Sequence, residues 1–181
     1  KYGCYRDSRV LTLPIAFTEY FHWIIGTWLD KVDAYIALTN FTRNKFIEAG
    51  LPTHKIFVKP NFLFNPPEPD YSHQNYAIFL GRLSVEKGIK ILIDSFKHLS
   101  PDINVRFQLK IVGDGPLRRQ LEDEIRAKGV QTIEFMGRKD FDEVMELLKN
   151  SKFMIMPSIW YETFSLTIME AFACGKPVIS S

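Results

Sequence analysis

Apolar residues at Leu13, Phe17, Phe21, Ile24 and Trp28 recur at the spacing of one helix face, which predicts a helix over 13–29. A short run from Asp33 to Leu38 reads as a strand. Thr39 or Asn40 then caps a helix through Ala49, which Gly50 and Pro52 end. Lys55 to Val58 is a second short strand. From Lys59 to Asn75 the periodicity lapses, and Pro60, Pro66, Pro67 and Pro69 stand among Asn and Asp residues, the composition of a linker. Beyond the linker the pattern becomes regular. Strands are predicted at Ala77–Leu80, Phe107–Val112, Thr132–Met136, Phe153–Met156 and Val178–Ile179, with helices at Gly88–Leu99, Leu117–Lys128, Phe141–Asn150 and about Ser165–Cys174 between them. Strands alternating with helices of this length build βαβ units, so the expected fold is α/β, a doubly wound parallel sheet with helices on both faces.

Composition narrows the class. The 181 residues are 46% hydrophobic and 24% charged, the balance of a folded domain rather than a disordered chain. A net charge of +2, from 23 Lys+Arg against 21 Asp+Glu, is too even for a dedicated nucleic-acid binder. Cys4 and Cys174 form no CxxC or Cys/His cluster, which argues against a disulfide scaffold or structural zinc and fits a reducing, cytoplasmic setting. The aromatic stretch Tyr20–Leu29 is shorter than the ~20 residues of a bilayer span, and no signal-peptide pattern appears. The chain opens on Lys1 rather than Met. It stops just after Pro177–Ser180, a strand that would ordinarily lead into a covering helix, so a piece of a longer protein is expected.

Open parallel sheets bind ligands at the carboxyl ends of their strands, which directs attention to the loops there. Gly81–Gly88 offers Arg82 and Lys87 between glycines, an arrangement that suits phosphate oxygens but also describes a solvated basic turn. Gly113-Asp114-Gly115-Pro116 lacks the third glycine of a dinucleotide fingerprint, and no Gly-Lys-Ser/Thr follows. Gly137-Arg138 follows the next strand. The last loop carries Glu162 ahead of a helix and Glu170 within it, a spacing that corresponds to about 12 Å if helical throughout. A diphosphate can lie on the amides near Phe164–Leu166, with sugar hydroxyls reaching Glu162 and ribose hydroxyls Glu170. Glu162 also reads as a helix-start acid and Glu170 as an exposed helix residue. Against the second stand Ile168, Met169, Ala171, Phe172 and Ala173, which make a carboxylate there costly without a partner.

Taken together, Gly-Arg-Leu-Ser-Val-Glu-Lys-Gly (81–88), Ile-Val-Gly-Asp-Gly-Pro (111–116), Phe-Met-Gly (135–137) and the run from Pro157-Ser158 through Glu162 and Glu170 to Ile179 resemble the retaining GT-B glycosyltransferases of family 4. The resemblance implies that residues 1–59 end an N-terminal acceptor-side domain, 60–75 link the domains, and 76–181 form a nucleotide-sugar donor domain. It implies catalytic roles for Arg82, Lys87 and Glu162, with Arg82 and Lys87 on the donor diphosphate and Glu162 on the transferred sugar. Gly81, Gly113, Gly137, Arg138, Thr163, Phe164, Ser165, Leu166 and Glu170 would bind the donor, Glu170 through its ribose. The family needs no metal or further cofactor. Its implied partners are a nucleotide sugar and a saccharide or lipid-linked acceptor, for a cytoplasmic protein with peripheral contact at the inner face of the membrane. Two departures stand out. Glu162-Thr163-Phe164-Ser165 replaces the usual Glu-Gly-Phe-Gly, and most of the N-terminal domain, with its usual catalytic His, is not in the sequence. None of His22, His54, His73 and His98 lies in a motif that assigns that role. Transfer by these residues alone is expected to be weak or absent.

Other features read as structural. Asp140-Phe141-Asp142 matches a metal-holding DxD but opens a helix, where acids cap. Asn40-Phe41-Thr42 is a sequon that a cytosolic chain would not use. Cys174 reads as a small core residue, and the aromatic residues of 17–28 as a face packed on the rest of an N-terminal domain rather than on a membrane. A non-catalytic nucleotide-binding module is the competing function, and an NAD-dependent Rossmann enzyme a third, for which the glycine fingerprint is missing.

Overall fold

The computed structural model describes Tyr5, residues 8–99 and residues 107–181; Cys4 lies outside them. The chain divides into two units, the first ending at Asn61 and the second beginning at Phe62.

The first unit contains helix α1 (Arg9–Ile24), strand β1 (Tyr35–Ala37), helix α2 (Asn40–Glu48) and strand β2 (Ile56–Val58). The helix expected over 13–29 is displaced at both ends. Ser8 caps it early, its Oγ accepting the Leu11 N–H at 3.3 Å, and the helix runs through Pro14. It stops ahead of Gly26, whose φ of +71° is left-handed, and a separate π-helical turn, Thr27–Lys31, follows. Trp28 keeps the apolar rhythm across that break, which is why periodicity alone ran the helix too far. Thr39 rather than Asn40 caps α2, accepting the Thr42 N–H at 3.0 Å. β1 and β2 pair in parallel, with Ala37 and Ile56 buried and Ile36 and Phe57 exposed. No residue of α1 is buried.

The second unit is a five-stranded sheet, every pairing parallel. Its strands are β3 (Tyr76–Leu80), β4 (Gln108–Val112), β5 (Ile133–Gly137), β6 (Phe153–Met156) and β7 (Val178–Ser180). Between them run α3 (Ile89–Lys97), α4 (Arg118–Ala127), α5 (Phe141–Asn150) and α6 (Leu166–Ala173). The strand order is β5-β4-β3-β6-β7, so the chain starts in the middle, winds outward one way, and returns to the other side of β3. Every residue of β3 is buried, as expected of a strand covered on both faces. Alternation divides its side chains. Ala77 and Phe79 join Ile89, Ile93, Leu121 and Ile125 of α3 and α4, whereas Tyr76, Ile78 and Leu80 join Met145, Leu148, Ala171 and Cys174 from the α5–α6 side. Each such large apolar side chain stabilises the fold by ~1.5–3 kcal/mol. This is the predicted doubly wound, Rossmann-like architecture.

Asp140 is a helix cap. Its carboxylate accepts the Glu143 N–H at 2.9 Å while Glu143 accepts the Asp140 N–H at 3.1 Å, a reciprocal capping box. Asp140→Ala is therefore expected to lower unfolding stability by about 1 kcal/mol. Chemical denaturation measures this.

Candidate functional site

β3 lies between β4 and β6, and the chain's direction of winding reverses there; at such a switch point the loops on the two sides part and leave a crevice. The loops here are tightly laced. Gly81 N–H donates to Val112 O at 3.1 Å, Gly113 N–H to Gly137 O at 2.8 Å, and Leu83 N–H to Asp114 O at 3.0 Å. Across the switch point Ile159 N–H donates to Glu86 O at 3.0 Å. Gly113 has no room for a side chain: with φ at +137°, a Cβ there would lie 1.9 Å from Gly81 O. The glycines at the strand ends thus serve close backbone approach first, which leaves the crevice lined by main chain.

A cleft of about 720 Å³ opens over these ends, lined by Gly81, Arg82, Gly113, Asp114, Arg138 and Thr167 among others. Arg82 and Arg138 are both exposed at its rim, and neither forms a salt bridge among the described residues. Two guanidinium groups without a salt bridge among the described residues, over a glycine-lined floor, suit an anionic ligand such as a phosphate.

Lys87 and Glu162, 75 residues apart, join the 81–88 loop to the 157–164 loop. The Lys87 ammonium donates to Glu162 Oε1 at 2.5 Å, and the Ser158 hydroxyl donates to the same oxygen at 2.6 Å. Burial alone would raise the Glu162 pKa, but the hydrogen bonds from Lys87 and Ser158 outweigh it and hold the carboxyl below its ordinary value. Glu162 is thereby kept ionised. Glu170 is in the opposite condition. It is half-buried on α6, its carboxylate has no hydrogen-bond or ion-pair partner among the described residues, and burial raises its pKa.

Between these two acids α6 begins. Ser165 is its N-cap, accepting the Ile168 N–H at 3.4 Å, and the amides of Phe164 to Thr167 have no acceptor among the described residues. The 12 Å separation expected from an unbroken helix is corrected, because only Leu166 onward is helical and the stretch from Glu162 to Ser165 is loop. The departure at Ser165 has a local reason: its hydroxyl caps the helix, a function glycine performs only through its backbone.

The predicted residues fall into three groups. Gly81, Arg82, Gly113 and Arg138 line the cleft, with Gly137 at the end of the adjoining strand. Lys87 and Glu162 form their own pair, and Thr163, Phe164, Ser165, Leu166 and Glu170 lie in the loop and helix beyond, with Thr163 and Leu166 exposed. Ser158 and Thr167 went unassigned in the sequence. The Ser-x3-Glu spacing was visible there, but only the fold of the 157–164 loop turns Ser158 back onto Glu162. Among the described residues no cluster of His, Cys, Asp and Glu is placed to hold a metal, and no helix is long and apolar enough to cross a membrane.

A family model described as Glycosyl transferases group 1 matches residues 64–181. An uncharacterized glycosyltransferase of Methanocaldococcus jannaschii is 32% identical over 167 residues, covering 90% of this chain and 43% of the relative. A GDP-mannose-dependent alpha-(1-6)-phosphatidylinositol dimannoside mannosyltransferase of Mycobacterium tuberculosis is 39% identical over 109 residues, 60% of this chain and 27% of that protein. Among solved structures, HepE of Anabaena in complex with UDP-glucose superposes with a TM-score of 0.66 at 24% identity, over 82% of this chain and 44% of its own. WaaG, a glycosyltransferase of lipopolysaccharide biosynthesis, gives 0.74 at 16% identity, over 97% of this chain and 51% of its own. The chain thus spans about half or less of these proteins, and its fold is that of the GT-B glycosyltransferases. The matched residues carry all the loops that build the cleft and the Lys87–Glu162 pair, and the chain belongs to the glycosyl transferases group 1 family.

Proposed function

We propose that this chain is the donor-binding part of a retaining, family 4 hexosyltransferase. It takes a nucleotide-diphosphate sugar, and the whole protein passes the hexose to a saccharide or lipid-linked acceptor in polysaccharide or glycolipid assembly. The observation that carries the reading is the Lys87–Glu162 pair, which joins the loops after β3 and β6, with Arg82 of the first loop and Thr167 at the start of α6 lining the cleft. Transfer breaks the bond between the anomeric carbon and the diphosphate oxygen, forms one to the oxygen of an acceptor hydroxyl, and passes that hydroxyl's proton to the departing diphosphate. The departing diphosphate gains charge, which Arg82, Lys87 and the α6 amides stabilise without a metal or other cofactor. Glu162 accepts from hydroxyls of the sugar, and Glu170 from those of the ribose.

Supporting the nucleotide sugar is HepE, solved with UDP-glucose; supporting a sugar-polymer or lipid setting are relatives acting on phosphatidylinositol dimannoside and lipopolysaccharide. The acceptor side would come from the remainder of a longer protein, cytoplasmic and touching the inner membrane face peripherally. Residues 1–181 alone would transfer little or no sugar.

Calorimetric titration of this chain with UDP, GDP, ADP and NAD, without metal, tests the donor site. One nucleoside diphosphate should bind, and Arg82→Ala should weaken it about tenfold, the value of one charge-assisted phosphate contact. Binding of NAD in preference to every diphosphate, or an unchanged affinity in Arg82→Ala, would overturn the assignment.

A further inference from the structure

The Lys87–Glu162 contact has a third member whose part differs from theirs. Ser158 is buried, and its position is fixed from several sides. Its carbonyl accepts the Ser181 hydroxyl at 2.7 Å, and the neighbouring Ile159 amide is tied to Glu86 O at 3.0 Å. Its own hydroxyl donates at 2.6 Å to Glu162 Oε1, the oxygen that Lys87 also holds. Glu162 Oε2 has no hydrogen-bond partner among the described residues. A carboxylate oxygen has room for two donors in this way, and anchoring one oxygen fixes where the other points.

We infer that Ser158 is a positioning residue for Glu162: it anchors Oε1 so that Oε2 is presented to a hydroxyl of the transferred sugar. This rests on the donor-site reading above and adds a division of labour to it. Lys87 carries a long, flexible side chain that is 34% exposed, and a donor diphosphate competes with Glu162 for its ammonium. Ser158 does not face that competition. When Lys87 moves to phosphate, the buried hydroxyl is the protein donor that remains on Oε1, and Glu162 keeps its direction. Sugar recognition is therefore protected from the rearrangement that diphosphate binding imposes. The hydrogen bond from Ser158 also helps keep Glu162 ionised, the form that accepts from a sugar hydroxyl.

The test measures what the sugar adds to affinity. Calorimetry on this chain compares UDP with UDP-glucose and GDP with GDP-mannose, in the parent, Ser158→Ala, Glu162→Ala and the double variant. The expected result is that Ser158→Ala binds the bare diphosphate within twofold of the parent and loses about fivefold of the sugar's contribution, the worth of one misdirected hydrogen bond. In the Glu162→Ala background, which leaves Ser158 no acceptor at position 162, it should lose nothing more, since Ser158 acts through Glu162. Equal sugar contributions in parent and Ser158→Ala overturn the proposal, as does an additive loss in the double variant. A parent that binds diphosphate with no gain from any sugar overturns it while leaving the donor site standing; a parent that binds no diphosphate overturns both. Thermal melting checks the fold, and Ser158→Cys, of similar volume with a weaker donor, is read in the same way if the alanine variant is unfolded.

Discussion

Gly88→Ala is expected to cost the second unit about 3–5 kcal/mol, the range of the most damaging single substitutions. Gly88 sits at φ +65°, where it closes the 3₁₀ turn Val85–Lys87 and leads into α3, a conformation that L side chains rarely adopt. Space is the larger problem. A Cβ there would lie 1.8 Å from Pro157 O, a backbone atom that cannot swing aside as a side-chain tip would. Relief requires the 81–88 loop to separate from the 157–164 loop. That separation breaks the hydrogen bond from Ile159 to Glu86 and pulls Lys87 from Glu162. Stability and ligand binding should therefore fall together, and any folded remnant should bind a nucleoside diphosphate at least tenfold more weakly, at roughly 1.4 kcal/mol per decade. Urea denaturation and calorimetry measure the two effects. A loss under about 1 kcal/mol would mean that the loops move apart cheaply and that their contact does not build the site.

The contact at Gly88 also marks where sequence reasoning stopped. Each strand and helix of the second unit was legible because its signal is local: β3 is a continuous apolar run, and Asp140 with Glu143 spells a capping box three residues apart. The placement of glycines, cations and acids at the strand ends was legible too, since it follows from the order of strands and loops along the chain. What local pattern does not carry is which strand ends are neighbours. The pairing of β3 with β6 brings Lys87 to Glu162 across 75 residues, and nothing in either segment's periodicity specifies it. Ser158 was missed for a related reason, because its partner lies only four residues away yet is reached through an irregular loop rather than a helical turn. The error in α1 has the opposite origin. Trp28 continued an apolar rhythm that Gly26 had already ended, so a tertiary-looking signal overran a backbone one. Gly113 belongs to a loop whose own pattern reads as a strand-to-helix turn, and its close approach to Gly81 O fits that reading.

Glu170→Leu is expected to make the chain more stable and its nucleotide binding worse. Glu170 lies in a helix rich in apolar residues, half-buried, with its carboxylate unpartnered among the described residues. Burial therefore raises its pKa above the ordinary 4.5, and the folded state disfavours the ionised form relative to the unfolded chain. The sign follows from proton linkage. Below pH 4.5 the group is protonated in both states and exacts little; as pH rises through that value the unfolded chain ionises first, and stability is lost until the folded group ionises as well. Leucine removes the ionisation. The variant should exceed the parent by about 1 kcal/mol near neutral pH, with the advantage shrinking as the pH falls below the ordinary carboxylate range. Denaturation curves at about pH 4 and pH 7 read this directly. Binding should move the other way, because a carboxylate left without a protein partner is available to ribose hydroxyls. Hydrogen bonds to a charged group are worth about 1.5–3 kcal/mol, so affinity for the nucleoside diphosphate should fall about 10- to 100-fold. A stabilised variant that binds as tightly as the parent would remove Glu170 from the donor site. A variant destabilised at neutral pH would mean that the carboxylate has a structural partner in solution. Stability gained and affinity lost at one position is the signature of a polar group held in an apolar helix for its ligand.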